Sequence, residues 1–380
     1  MKKYVKRIIS VFISVLLAAA CLSAGASALT PAEEKHLRFN SDGKFTVLNY
    51  SDFQDDIILN SVTKRFIKNT LEKVKPDLVV LTGDNIDGRG AKTEKAAKKA
   101  IDNYMSVFES FGVPVAIVFG NHDDDSTALS KEEQVEFYSS YSVSLMYDEG
   151  EDVSGVGNYI VPIYASDSSG KVKFNLYMFD DCASSHHLAL DQIEWYKAQS
   201  DKLSSENGGP VPSIAFQHVI MPEIYDALKQ TDKYRPGAVY WKGKPYVLPD
   251  NASEDSVLNE RPSPDNTDLG ELQAFIEQKD VKAVVSGHDH GNAFDVEYKG
   301  VRFISTPTAG FRPSGNLRTR GARIIELDED GTFETHRITM FDYIGANDPY
   351  FPLLVFESAF KQVIAFFDEM SWQLEQIIKK

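Results

Sequence analysis

Leu78-Val79-Val80-Leu81-Thr82-Gly83-Asp84-Asn85 sets four aliphatic residues against an abrupt Gly-Asp turn. A short, β-branched apolar run bounded by glycine reads as a strand buried on both faces. Such strands belong to sheets covered by helices, and ligands bind beyond their carboxyl ends, where Asp84 stands. The same pattern recurs along the chain. Phe45-Thr46-Val47-Leu48 leads to Ser51-Asp52-Phe53-Gln54, and Val115 to Phe119 leads to Gly120-Asn121-His122-Asp123. Ile214-Ala215-Phe216 leads to Gln217-His218, and Val281 to Val285 leads to Ser286-Gly287-His288-Asp289-His290. All five polar clusters begin where a strand stops, so all five can converge on one site.

Helical patterns separate the early strands. Ile57, Ile58, Val62, Phe66, Ile67, Leu71 and Val74 form one apolar stripe at helical spacing. Ala96 to Phe111 is a second helix, ended by Gly112 and Pro114. Strand and helix in alternation predict an α/β fold with some parallel pairing. Lys173–Phe179, Val301–Ser305 and Ala322–Leu327 read as later strands, and Asp330-Gly331 as a hairpin turn before Thr332–Ile338. Residues 220–268 are polar, Pro-rich and aromatic with little periodicity; they read as an insertion over the strand ends, a lid or substrate wall. In the tail, Phe356, Phe360, Val363, Phe367, Met370 and Leu374 predict a C-terminal helical extension over 341–380.

The 380 residues carry 56 acids against 40 bases, a formal charge of −16. That balance argues against a nucleic-acid or anionic-membrane surface, and requires local positive charge wherever an anionic substrate binds. Residues 1–28 read as a cleaved signal peptide: Lys2, Lys3, Lys6 and Arg7, then an apolar run from Ile8 to Ala20, then Ala26-Ser27-Ala28. The run is too short to span a bilayer, which needs about 20 residues, so no transmembrane segment is expected in the mature chain. The alternative is lipoprotein processing at Cys21. Cys182 is the one downstream cysteine, which leaves the mature domain, 29–340, without an internal disulfide.

Asp, Gln, Asn and His donors without thiolate suit Mn, Zn or Fe. Each alone is weak evidence, because an Asp at a strand end is usually a turn former or cap. The ordered set D-x-Q, G-D-N, G-N-H-D, a lone strand-end His and G-H-D-H is much stronger. It resembles the calcineurin-like metallophosphoesterase superfamily, whose pattern is D-x-H, G-D, G-N-H-[DE], H and G-H-x-H. The match runs from about Phe45 to Ile338. Pro76 to Ile86, Gly155 to Tyr159, Asp280 to Val284 and Arg320 to Arg323 look especially like its purple-acid-phosphatase-like branch.

The resemblance implies a four-layer αββα sandwich of two mixed sheets and a binuclear metal centre. Asp84 would bridge the ions; Asp52, Gln54 and His290 would complete the first shell, and Asn121, His218 and His288 the second. Two ions about 3.5–4 Å apart make hydroxide available near neutral pH and neutralise phosphate oxygens. His122 would assist the leaving group, with Asp123 either orienting its imidazole or capping the following turn. Two departures stand out: Gln54 where the family has His, and Asp87 where purple acid phosphatases place an iron-binding Tyr. Arg89, Arg312, Arg318 and Arg320 are candidate phosphate contacts or solvated surface residues; His186 and His187 read as structural or exposed. The expected function is exported hydrolysis of phosphate mono- or diesters, and the alternative an exported binding protein that keeps the fold without the catalysis.

Overall fold

The computed structural model describes residues 29–124, 128–150, 152–182, 186–232, 237–356 and 359. The proposed signal peptide and most of the proposed C-terminal helix lie outside the described residues; 351–356 are helical. The chain divides into residues 1–30 and a compact unit from Pro31 onward.

Helix α1 (Ser61–Val74) follows strand β1 (Lys44–Tyr50), and α2 (Glu94–Phe111) follows β2 (Leu78–Thr82). β3 (Val115–Val118), α3 (Lys131–Ser139), β4 (Tyr159–Tyr164), β5 (Val172–Met178), α4 (Leu190–Asn207) and β6 (Ser213–Phe216) come next. Three short strands, β7 (Lys229–Gln230), β8 (Val239–Trp241) and β9 (Lys244–Val247), precede α5 (Glu271–Gln278) and β10 (Val281–Ser286). β11 (Asp295–Tyr298), β12 (Val301–Ser305), β13 (Gly321–Asp328) and β14 (Phe333–Thr339) complete the sheets.

One sheet has the order β14-β13-β1-β2-β3 and the other β11-β12-β10-β6-β5-β4. Both are mixed: β1, β2 and β3 are parallel, as are β12, β10, β6 and β5, with antiparallel strands at the edges. Alternation in the second sheet assigns its faces to two cores. Phe174, Leu176, Met178, Ile214, Phe216, Ala283, Val285 and Ile304 join the core shared with the first sheet. Tyr177, Ala215, Val284 and Phe303 pack with Trp195, Tyr196 and Leu203 of α4 and Phe275 of α5. The expected α/β architecture of two mixed sheets is the one observed.

Local corrections are informative. α1 begins at Ser61 because the Asn60 side chain accepts the Val62 N–H at 2.8 Å. Ile57 and Ile58 therefore precede the helix and are 47% and 69% exposed, not part of its buried stripe. α2 begins at Glu94, capped by Thr93, and ends at Gly112 with φ 66°. Inside 220–268, β7, β9 and β8 form a small antiparallel sheet.

Candidate metal centre

The carboxyl ends of parallel strands from both sheets meet. The loop after β1 is laced to the loop after β2: Asp52 N donates to Gly83 O at 3.0 Å and Gln54 N to Asp84 O at 2.9 Å. Across the sheets, His218 Nδ1 donates to Thr82 O at 2.9 Å, and His288 N donates to Asp52 Oδ2 at 3.2 Å. The close approach explains two glycines. A Cβ on Gly120 would strike the backbone and carboxylate of Asp84, and one on Gly287 would strike Ser51 and Asp52.

Nine described non-glycine residues have a left-handed backbone. His36, Lys75 and Lys279 follow helices, and Lys242 and Lys299 sit in hairpin turns, where αL is ordinary. The other four are Asp52 (54°), Gln54 (40°), Asp84 (51°) and His288 (64°). A non-glycine αL residue costs about 1 kcal/mol or more, and such strain clusters at functional sites.

The expected ligands gather around Asp84. His218 Nε2 is 3.4 Å from Asp84 Oδ1, and His290 Nε2 is 3.4 Å from Asp52 Oδ1. Asp52, Asp84 and His290 each offer a ligand atom within 4.8 Å of the others. The His288 ring lies 5.2 Å from that of His218. Asn121 opens the helical turn Asn121–Asp124, and the next residue, His122, donates its N–H to Asp84 Oδ1 at 2.8 Å while its Nε2 stands 4.0 Å from Oδ2. Gln54 also contacts Asp84. Its Nε2 donates to Asp84 Oδ2 at 2.6 Å, so the amide nitrogen faces the carboxylate.

Among the expected ligands, three buried atoms make no hydrogen bond: Asp52 Oδ1, Asn121 Oδ1 and His218 Nε2. Leaving a buried polar atom unsatisfied costs about 1–3 kcal/mol, and three acceptor atoms among the expected ligands fit a cation. The donor set is oxygen and imidazole only, which suits Mn, Zn or Fe. His218 donates through Nδ1, which leaves Nε2 as its lone-pair atom.

Carboxylates and imidazoles set one another's charge here. Burial pushes the Asp84 carboxyl up, but His218 and then His122 outweigh it and hold the group below the usual carboxylate range. Burial opposes charge on His218, yet Asp84, Asp52 and Asp181 hold its pKa well above the ordinary imidazole value. His288 is pushed down to about 4, chiefly by burial and by His218, which keeps it in the neutral form that binds metals. Asp123 clamps the loops: its carboxylate accepts N–H groups from Asn85 (2.9 Å), Ile86 (3.0 Å) and Gly120 (2.7 Å). Burial, then the Asp84 charge, pushes Asp123 up to about 7.

The arginines do not gather here. Arg312 pairs with Asp55 and Asp56, Arg89 with Asp87, and Arg318 is exposed. Buried Arg320 donates to the carbonyls of Gly310, Pro313 and Ser314. That loop matters, because Ser314 Oγ is 2.8 Å from His290 Nδ1. Asp180 is engaged by Lys131 (2.8 Å), whereas its neighbour Asp181 accepts the N–H groups of His218 (3.1 Å) and Val219 (2.7 Å). Sequence reasoning missed Ser314 and Asp181. Asp181 follows a strand as the other site acids do; Ser314 lies in an irregular Pro-Ser-Gly loop without a pattern.

The model of the calcineurin-like phosphoesterase family matches residues 45–292. "Probable inactive purple acid phosphatase 14" of Arabidopsis thaliana is 26% identical over 369 residues, covering 86% of this chain and 85% of that one. "Probable inactive purple acid phosphatase 28" of the same plant is 29% identical over 331 residues, covering 76% and 77%. A crystal structure of a dimetal phosphatase from Danio rerio is similar at a TM-score of 0.45 and 13% identity, covering 77% of this chain and 98% of that one.

Proposed function

The chain belongs to the calcineurin-like phosphoesterase family, and from that premise we propose that it is an exported, metal-dependent hydrolase of phosphate mono- or diesters. The observation that carries the reading is the cluster of Asp52, Asp84 and His290, with His218 Nε2 3.4 Å from Asp84, in which Asp52 Oδ1 and His218 Nε2 are buried without hydrogen bonds. Asp52, Gln54, Asp84 and His290 would hold one ion, and Asp84, Asn121, His218 and His288 the other. Bound there, the ions supply Lewis acidity, lowering the pKa of a coordinated water and withdrawing charge from the phosphate.

The protein's own groups do the rest. Asp84 is held ionised by its histidines and ties the two halves of the site. Thr82 O fixes the His218 ring, and Ser314 Oγ contacts that of His290, so neither ligand must be ordered when substrate arrives. His122 is the proposed catalytic residue: backbone-anchored on Asp84 and 21% exposed at the side chain, it can reach a leaving-group oxygen and give it a proton. Purified full chain, loaded in turn with Mn, Zn and Fe, tests this on an aryl phosphate. Asp84→Asn and His122→Ala are expected to lose about 100-fold or more, and unchanged turnover in both overturns the reading.

A second reading has two observations in its favour. Gln54 offers an amide N–H to Asp84 where the family pattern carries imidazole, and two relatives bear the words "probable inactive" in their names. On that reading the fold is kept for binding. Two ions per chain with turnover support the hydrolase; two ions without turnover on any phosphate ester support the binding protein.

Export rests on residues 1–28. No helix among the described residues is long and apolar enough to cross a membrane. Secretion of the full chain with loss of its first 28 residues, read by N-terminal sequencing, distinguishes cleavage from lipid attachment at Cys21.

A further inference from the structure

We propose that His186 is a substrate-contacting residue of this site, its imidazole N–H donating to a phosphate oxygen of the ester. The proposal rests on the phosphoesterase reading and adds to it a residue outside the metal-ligand pattern. Three imidazoles form a row from the interior outward. The buried His218 ring is 5.2 Å from that of His288, which in turn is 6.0 Å from the ring of exposed His186. His186 thus borders the ligand cluster on the His288 side, whereas His122 borders it at Asp84.

Its position is built rather than incidental. His187 Nδ1 lies 3.4 Å from Asp265 Oδ1, Leu188 is buried in the second core, and Ala189 N donates to Gln192 Oε1 at 2.8 Å. The residues that follow His186 are therefore tied to 220–268, to the core and to the start of α4. A chain of net charge −16 must still hold a phosphate dianion, and four of its described cations are engaged elsewhere. Arg312 is paired with Asp55 and Asp56, Arg89 with Asp87, Lys131 with Asp180, and Arg320 with three carbonyls. An imidazole carries an N–H in either protonation state, so it can donate to phosphate across the neutral range. A hydrogen bond to a charged acceptor that is lost on truncation weakens binding by about 10- to 100-fold.

Calorimetric binding of orthophosphate to metal-loaded full chain tests this, alongside aryl phosphate kinetics, bound metal per chain and Tm. His186→Ala is expected to weaken orthophosphate binding and raise KM about 10-fold or more, with metal content and Tm unchanged; His186→Gln, which keeps an N–H donor, recovers part of the loss. Orthophosphate affinity within twofold of the unsubstituted protein overturns the proposal. So does loss of metal in step with phosphate, which would make His186 a support for His288. If the unsubstituted protein binds orthophosphate but cleaves no ester, the hydrolase reading falls while the binding comparison still judges His186; if it binds none, both fall.

Discussion

Gln54 Nε2 donates to Asp84 Oδ2 across 2.6 Å, so the carboxylate proposed to bridge two ions already accepts a hydrogen bond from the residue proposed to share one of them. A neutral amide is a weaker ligand than imidazole, and here its donor end faces the carboxylate. Asp52 and His290 are the other contributors proposed for that shell.

Gln54→His is therefore expected to tighten the weaker of the two ions by about 10-fold, read by chelator competition with stoichiometry by elemental analysis. Turnover should rise with occupancy. Equal affinity in both proteins would mean that Gln54 does not limit the first site.

Ser314 provides the complementary test from outside the ligand set. Its Oγ is 2.8 Å from His290 Nδ1, and its carbonyl is held by Arg320 at 3.1 Å. Removing such an outer partner typically lowers metal affinity or activity by about 10- to 100-fold. Ser314→Ala should weaken the same ion as Gln54, with Tm of the metal-free protein unchanged because the side chain is exposed. A drop in Tm without a change in metal affinity would make the contact one of folding alone.

The residues legible in sequence are those whose role is written locally. β2 is buried on both faces, so its apolar run and the Gly83-Asp84 turn stand out, and the same holds for Gly120-Asn121-His122 and Gly287-His288. Helix boundaries were partly hidden. Ile57 and Ile58 continue the apolar spacing of α1, but the Asn60 cap, not hydrophobicity, sets its first turn. α4 escaped notice because Gln192 and Ser200 share its buried face with Ile193, Trp195 and Tyr196, which blurs the stripe. Ser314 was invisible for a different reason: its contact with His290 spans 24 residues and depends on carbonyls gathered by a buried arginine.

Beside the site, Lys131 is 5% exposed with Nζ at 2.8 and 3.0 Å from the two oxygens of buried Asp180 and 3.1 Å from Cys182 O. Among the described residues, Lys131→Met would leave that carboxylate the N–H groups of Val156 and Cys182. Breaking one side of a buried pair costs about 3 kcal/mol, or a fall in Tm of roughly 6 °C or more for a domain of this size. Adding Asp180→Asn removes the stranded charge and should restore at least half of the loss. A Tm within 1–2 °C of the parent for Lys131→Met, roughly the shift of a surface substitution, would deny the pair its structural role.

Glu271 carries the clearest pH dependence. Its pKa is pushed well above the ordinary carboxylate value, first by burial and then by the carboxylates of Asp181 and Glu223, and its Oε1 makes no hydrogen bond. A raised folded pKa means that the folded protein holds this proton more tightly than the unfolded chain, whose value is about 4.3. The stability it contributes is thus complete below about pH 4.3 and is lost as pH rises through the higher folded value. Glu271→Gln keeps the shape and removes the titration. At about pH 4, below the unfolded value, the two proteins should melt together. Toward pH 9 the variant should pull ahead, by roughly 2 °C for each kcal/mol that ionisation costs the parent. Melting curves taken from about pH 4 to 9 at fixed metal content decide it: a Tm difference that stays constant with pH would mean that the folded carboxyl titrates no higher than the unfolded one, as it would with its charge in contact with water.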